Sequence, residues 1–213
     1  FKVGGTITIS EALIITKPNI TIAGETAPGG GIAVKGTGTT EGVLGIERTE
    51  NIIMRHIRLR GGPTDDKAGI IEIIGGVNII VDHVSISWSV DENLAMTNSR
   101  NITIQNSIVA EPLNCTIHYE GGCHSKSFFG YYRIATNLSN NSYDDIFENI
   151  SVYNNFIAHG GDRNPRFRVE ATGQSKDRNV EVVNNVMYNF GGTGGATSIK
   201  ELLLKLEITP EEL

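Results

Sequence analysis

One phrase recurs six times along this chain: NITIAG at Asn19, NIIMRH at Asn51, NIIVDH at Asn78, NITIQN at Asn101, NISVYN at Asn149 and NVEVVN at Asn179. Each copy sets an Asn ahead of an apolar–variable–apolar alternation, which is the pattern of a strand with one buried face. The copies return after about 23 to 32 residues, with one interval of about 48, the period of a coiled repeat rather than of hairpins. No two-residue turn separates them, and all run in the same sense. The pattern predicts a parallel β-solenoid with one copy per coil, so that function sits in loops leaving equivalent points of successive coils.

The inward column predicted by the repeat is Ile20 and Ile22, Ile52 and Met54, Ile79 and Val81, Ile102 and Ile104, Ile150 and Val152, and Val180 and Val182. A second apolar alternation follows each copy and predicts further inward positions at Ile57 and Leu59, Val84 and Ile86, then Ile108, Phe156 and Val186. The corner between the two carries Asn106, Asn154 with Asn155, and Asn184 with Asn185. Asn tolerates the left-handed backbone region and its amide can bond to the copy above, so these residues read as a structural ladder. The segment from Asn137 to Asp145 reads as an exposed insertion, and Gly191 to Ala196 as a glycine-rich hinge. Beyond it Ser198 and Glu201 make a capping box, and Ile199, Leu202, Leu203 and Leu206 one apolar helix face. The expected organisation is a coil over 1–196 and a C-terminal helix over 197–213 that covers the open last coil.

A net charge of −6 argues against general affinity for nucleic acid, so an acidic ligand needs a local basic site or a bridging cation. No apolar run reaches the ~18 residues of a membrane span. Phe1 opens inside a strand-like segment, which reads as a cut or processed start. Cys115 and Cys123 share one polar loop and read as a local disulfide or as two thiols, depending on compartment. Asn-x-Ser/Thr sequons begin at Asn19, Asn101, Asn114, Asn137, Asn140 and Asn149, several of them on the repeat itself, where Asn has a structural use.

The densest basic cluster is RNPRFR, from Arg163 to Arg168, stiffened by Pro165. Fixed guanidinium groups suit carboxylate or phosphate recognition; the competing reading is a solvated turn with surface salt bridges. The third copy runs into VDHVSISWSVDEN, whose Asp91 and Glu92 leave the coil at nearly the offset from Asn78 that Arg163 has from Asn149. They should emerge on one side, two coils or ~10 Å apart. Carboxylates beside a basic loop suit calcium bridging protein and substrate carboxylates, or ordinary salt bridging. Asp82 and His83, adjacent in one strand, should face opposite sides and read as structural. Trp88 at a strand end reads as packing, with stacking on a sugar as the alternative. His118, His124 and His159 show no metal spacing, and TAPGGGI lacks the Lys-Ser/Thr of a phosphate loop, so it reads as a tight corner.

GGTITI, ETAPGGGI, RHIRLR, VDHVSISWSVDEN, HSK and RNPRFR, in this order, resemble the pectate lyases of the right-handed parallel β-helix type, over about Phe1 to Phe190. The resemblance implies an all-β, single-stranded right-handed parallel β-helix, monomeric and secreted. It implies a polysaccharide lyase that cleaves polygalacturonate by β-elimination with calcium. By position, it makes Arg163 the base that takes the C5 proton, Arg168 and Lys126 substrate-binding cations, and Asp91 a calcium-binding carboxylate. Gly69 and Ala95 stand where the family has further calcium-binding Asp residues, with Asp65, Asp66 or Glu92 as substitutes, so calcium is expected to bind weakly before substrate arrives. The competing readings are a non-catalytic pectin-binding coil and a structural or adhesin solenoid.

Overall fold

The computed structural model describes residues 1–37, 42–62, 69–114, 126–132, 147–169 and 179–191. They form three parallel sheets, with strands numbered in chain order. Sheet A stacks β1 (Gly5–Ile9), β4 (Ile32–Gly36), β7 (Ile57–Arg60), β10 (Ser85–Ser87), β13 (Ile108–Ala110), β16 (Phe156–Ala158) and β19 (Val186–Tyr188). Sheet B stacks β2 (Leu13–Ile15), β5 (Leu44–Glu47), β8 (Ile71–Ile74), β11 (Glu92–Thr97), β14 (Lys126–Tyr132) and β17 (Arg166–Val169). Sheet C stacks β3 (Ile20–Ala23), β6 (Glu50–Arg55), β9 (Val77–Asp82), β12 (Arg100–Gln105), β15 (Glu148–Tyr153) and β18 (Val180–Val183). Each strand pairs with the strand three further along, so the chain visits A, B and C in turn and then rises one coil.

The repeat is sheet C. Ile20, Ile52, Ile79, Ile102, Ile150 and Val180 stand in register, as do Ile22, Met54, Val81, Ile104, Val152 and Val182. The eight residues of the four inner coils are fully buried, whereas Ile20, Ile22, Val180 and Val182 at the ends are only partly so. Each fully buried aliphatic side chain contributes ~1.5–3 kcal/mol. The central column therefore supplies much of the stability of the coil.

The Asn of every copy is a ladder rung. Asn51, Asn78, Asn101, Asn149 and Asn179 each donate from Nδ2 to Oδ1 of the Asn one coil back, at 3.0, 3.0, 2.9, 3.0 and 3.3 Å. Asn19, Asn51, Asn78, Asn101 and Asn149 all hold positive φ, between 54° and 63°. At the C-to-A corner the positive-φ position passes from His56 and His83 to Asn106, Asn154 and Asn184, and Asn184 Nδ2 donates to Asn154 Oδ1 at 2.6 Å.

The second alternation needs a correction. Ile57, Leu59, Val84 and Ile86 point inward as expected, but Ile108, Phe156 and Val186 are 46%, 38% and 58% exposed. From Ser107 onward the inward corner place is polar. Ser107 Oγ accepts from the Val84 N–H, Asn155 Oδ1 accepts from the Ser107 N–H, and Asn185 Oδ1 accepts from the Asn155 N–H. The apolar inward residues are then Val109, Ile157 and Met187, one position later.

In TAPGGGI, Gly29 and Gly31 turn at positive φ after a single 3-10 turn at Gly24–Thr26, which is a corner as expected. Among the described residues no helix is long and apolar enough to cross a membrane. The helix expected over 197–213, the rest of the hinge beyond Gly191, Asn137 to Asp145, Asp65, Asp66, Cys115, Cys123, His118 and His124 lie outside the described residues.

Candidate functional site

The charged residues converge where the chain enters sheet B. Asp91 precedes β11, Lys126 opens β14 and Arg163 precedes β17, at the same ends of three neighbouring strands. Glu92 pairs in register with Lys126, and a single parallel bridge joins Lys126 to Asp162. The shared exit point read from the sequence is thus a shared side of one sheet, with Asp91 and Arg163 two strands apart.

The segment carrying Asp91 is locked. The Ser89 N–H donates to Asn93 Oδ1 at 3.2 Å, Ser89 Oγ donates to the Asp91 carbonyl at 3.0 Å, and Asn93 Nδ2 donates to the Ala110 carbonyl at 2.9 Å. Lys126 Nζ donates to Asp91 Oδ1 at 2.6 Å, with both residues buried. Such a pair, once desolvated, is costly to break from one side only.

The Arg163 guanidinium meets the buried Glu92 carboxylate, and its Cζ lies 4.2 Å from the Phe129 ring centroid. Its backbone N–H donates to Asp162 Oδ1 at 2.8 Å, and its φ is 57°. A bulky residue in that region is uncommon and needs such support. The loop also depends on Gly160: a Cβ there would lie 2.2 Å from both Asn164 Oδ1 and Ser127 Oγ. Asn164 is fully buried, and its Nδ2 donates to the Gly160 carbonyl at 3.1 Å.

Arg166 pairs with Phe129, and Arg168 pairs with Tyr131. Glu92 and Phe129 were not foreseen as partners of Arg163. Adjacency to Asp91 was the only signal for Glu92, and for Phe129 it was the alternation after the inward Phe128.

The described carboxylates do not form a calcium cage by themselves. Calcium takes six or more oxygens, whereas Asp91 is already neutralised by Lys126 and Glu92 by Arg163. Ala95 pairs with Glu72, whose Oε1 accepts from the Gly69 N–H at 3.1 Å. Among the described residues no group of three or more His, Cys, Asp or Glu is placed to hold a metal.

Two readings of single residues change. Asp82 and His83 do not face apart: His83 takes the positive-φ corner, and its Nδ1 lies 2.8 Å from Asp82 Oδ1. Burial pushes the Asp82 carboxyl up, but hydrogen bonds from Asn106, Gln105 and His83 outweigh it and hold the group below the usual carboxylate range. Trp88 is not packed away but 42% exposed, with the Arg60 guanidinium 5.6 Å from its ring centroid.

No family model matches the chain. It is similar to the protein named probable pectate lyase C of Neosartorya fischeri, with 36% identity over 200 residues, covering 92% of this chain and 38% of the relative. Proteins of the same name from Emericella nidulans and Aspergillus terreus are each 35% identical, over 198 and 197 residues, with the same coverage. The chain thus spans 38% of the length of the curated relatives it matches. Across 92% of its residues this chain is similar in sequence to the fungal proteins named probable pectate lyase C, and its parallel coil is consistent with a pectate-lyase-like β-solenoid fold.

Proposed function

We propose that this coil is the substrate-cleaving part of a secreted, monomeric polysaccharide lyase that acts on polygalacturonate by β-elimination. The observation that carries the reading is the meeting of Asp91, Lys126, Glu92 and Arg163 at one end of sheet B, in a chain whose relatives bear the name pectate lyase. Arg166 and Arg168 on β17 add positive charge to the same sheet in a protein of net charge −6. That is a local basic site of the kind an acidic polymer needs.

In the proposed reaction a base takes the proton from C5 of a galacturonate. The electron pair forms the C4–C5 double bond, the C4–O bond breaks, and the departing oxygen takes up a proton. Arg163 is assigned as the base, and Lys126 and Arg168 grip substrate carboxylates and stabilise the charge that develops as C5 is deprotonated. A guanidinium stays protonated in nearly all settings, and its contact with Glu92 favours the charged form. The substrate must therefore part Arg163 from Glu92 before the proton moves. In this reading calcium binds only alongside substrate carboxylates, with Asp91 as a protein ligand, and the proton transfer belongs to protein groups.

The second reading is a coil that binds pectin without cleaving it. The mutual pairing of Asp91 with Lys126 and of Glu92 with Arg163 favours it, because a self-neutralised row can hold a polymer without supplying a base. Ultraviolet absorbance of the unsaturated product, on polygalacturonate with calcium and then with chelator, separates the two. Absorbance growth supports the lyase; calorimetric binding without it supports the binder.

A further inference from the structure

The corner from sheet A into sheet B is built differently from the other two. Backbone bonds run from the Gly61 N–H to the Ser87 carbonyl, from the Trp88 N–H to the Glu111 carbonyl and from the Glu111 N–H to the Ala158 carbonyl, so this corner too stacks coil on coil. Trp88, Glu111, His159 and Asn189 all take positive φ there, yet no two carry the same side chain. Trp88, the only Trp in the chain, holds a φ of 75° and remains 42% exposed. For so bulky a residue this conformation is an outlier, and such outliers cluster at functional positions.

The indole is also supported. Arg60 Nη1 donates to the Ser85 carbonyl at 2.7 Å and Nη2 to Ser85 Oγ at 2.9 Å, which fixes the guanidinium 5.6 Å from the ring centroid. Arg58 lies on the same face of β7, and Lys35 pairs with Arg60 across the sheet. Among the described residues no carboxylate is paired with Lys35 or Arg58. Burial and the neighbouring Arg58 charge both lower the Arg60 pKa, which shows that positive charge is crowded here. Glu111, on the same corner, has His159 Nε2 at 3.5 Å. Finally, the Ser89–Asn93 clasp that locks Asp91 begins at the residue after Trp88, so the backbone of Trp88 leads directly into the site on sheet B.

We propose that Trp88, supported by Arg60 and flanked by Arg58, is a uronate subsite on the rim between sheets A and B, separate from the row of Asp91, Lys126 and Arg163. The apolar face of a pyranose ring stacks on the indole, and its carboxylate meets the Arg58 guanidinium. The choice of a uronate, rather than a neutral sugar, rests on the lyase reading together with Lys35 and Arg58, which are paired with no carboxylate among the described residues.

Because Trp88 is the sole Trp, the intact chain reports on this subsite directly. The experiment titrates a galacturonate oligomer in chelator, following tryptophan emission and, in parallel, calorimetry; a neutral galactose oligomer is the control. The expected result is a saturable emission change with the acidic oligomer alone, and affinity weakened ~10-fold in Arg58→Ala, as for loss of a charge-assisted contact. Trp88→Asn, which puts at this corner the residue that Asn189 already supplies three coils on, should weaken binding while keeping the fold. Calorimetric binding with unchanged emission, and with unchanged affinity in Trp88→Asn, would overturn the subsite and leave the lyase reading standing. An equal response to the neutral oligomer would overturn its uronate selectivity, and no binding by either readout would remove both proposals.

Discussion

Arg163 is the residue on which the proposed chemistry turns, and its surroundings set the test. Arg163→Ala should abolish most of kcat and leave affinity for a galacturonate oligomer nearly intact, whereas Arg168→Ala should lose affinity more evenly. Turnover near wild type in Arg163→Ala, measured by product absorbance, would remove it from the reaction. Asp82 gives a second test, unrelated to activity. Its folded-state pKa lies below the ordinary value, so its stabilisation is full above the unfolded pKa of ~3.9 and is lost as pH falls through the folded value. Thermal melts should therefore show a shallower loss of stability for Asp82→Asn than for wild type on going from about pH 6 to about pH 3. At this scale the sequence was legible where spacing decides and illegible where side chains meet across coils. Offsets from Asn78 and Asn149 put Asp91 and Arg163 on one side. Nothing in the order of residues told that Lys126 would neutralise Asp91, or that Glu92 and Phe129 would hold Arg163, because those contacts depend on which rotamers the packed sheet permits.

Strands and corners were legible for a different reason. Sheet C alternates cleanly, with one apolar face and a fixed Asn, and period two leaves no doubt about which residues point inward. Sheet A failed at Ile108, Phe156 and Val186, because the buried Ser107 and Asn155 and the partly buried Asn185 occupy inward places that hydrophobicity alone assigns to their neighbours. The same residues show where the coil is most easily damaged. Asn155 Nδ2 donates to the Ile104 carbonyl at 2.9 Å while its Oδ1 serves the Ser107 N–H, so Asn155→Ala leaves two buried groups of the preceding coil unpaired. It should cost ~2–4 kcal/mol in urea unfolding, against ~1 kcal/mol for Asn78→Ala on the exposed ladder. Gly160→Ala should also destabilise the protein, since neither Asn164 nor Ser127 can retreat far from a Cβ only 2.2 Å away.

Over the whole molecule, the repeat interval carried the architecture, since six in-phase copies admit few folds besides a coil. The C-terminal helix expected over 197–213 rests on a local pattern with no counterpart in the repeat and lies outside the described residues. The charge pairing of the coil yields a further expectation: calorimetry of the free protein with calcium should show weak binding, strengthened when galacturonate oligomers are present. Tight binding by the free chain would mean that the Lys126–Asp91 pair gives way to the ion. The three corners, finally, divide the labour of the perimeter. Two are closed by residues that repeat from coil to coil, so a change there is felt by the coils above and below. The corner beside the charged row turns by the same backbone geometry but accepts Trp88, Glu111, His159 or Asn189 in successive coils. On the proposed reading, contacts with a polymer can therefore change one coil at a time on that rim, without disturbing the ladders that keep the spring wound.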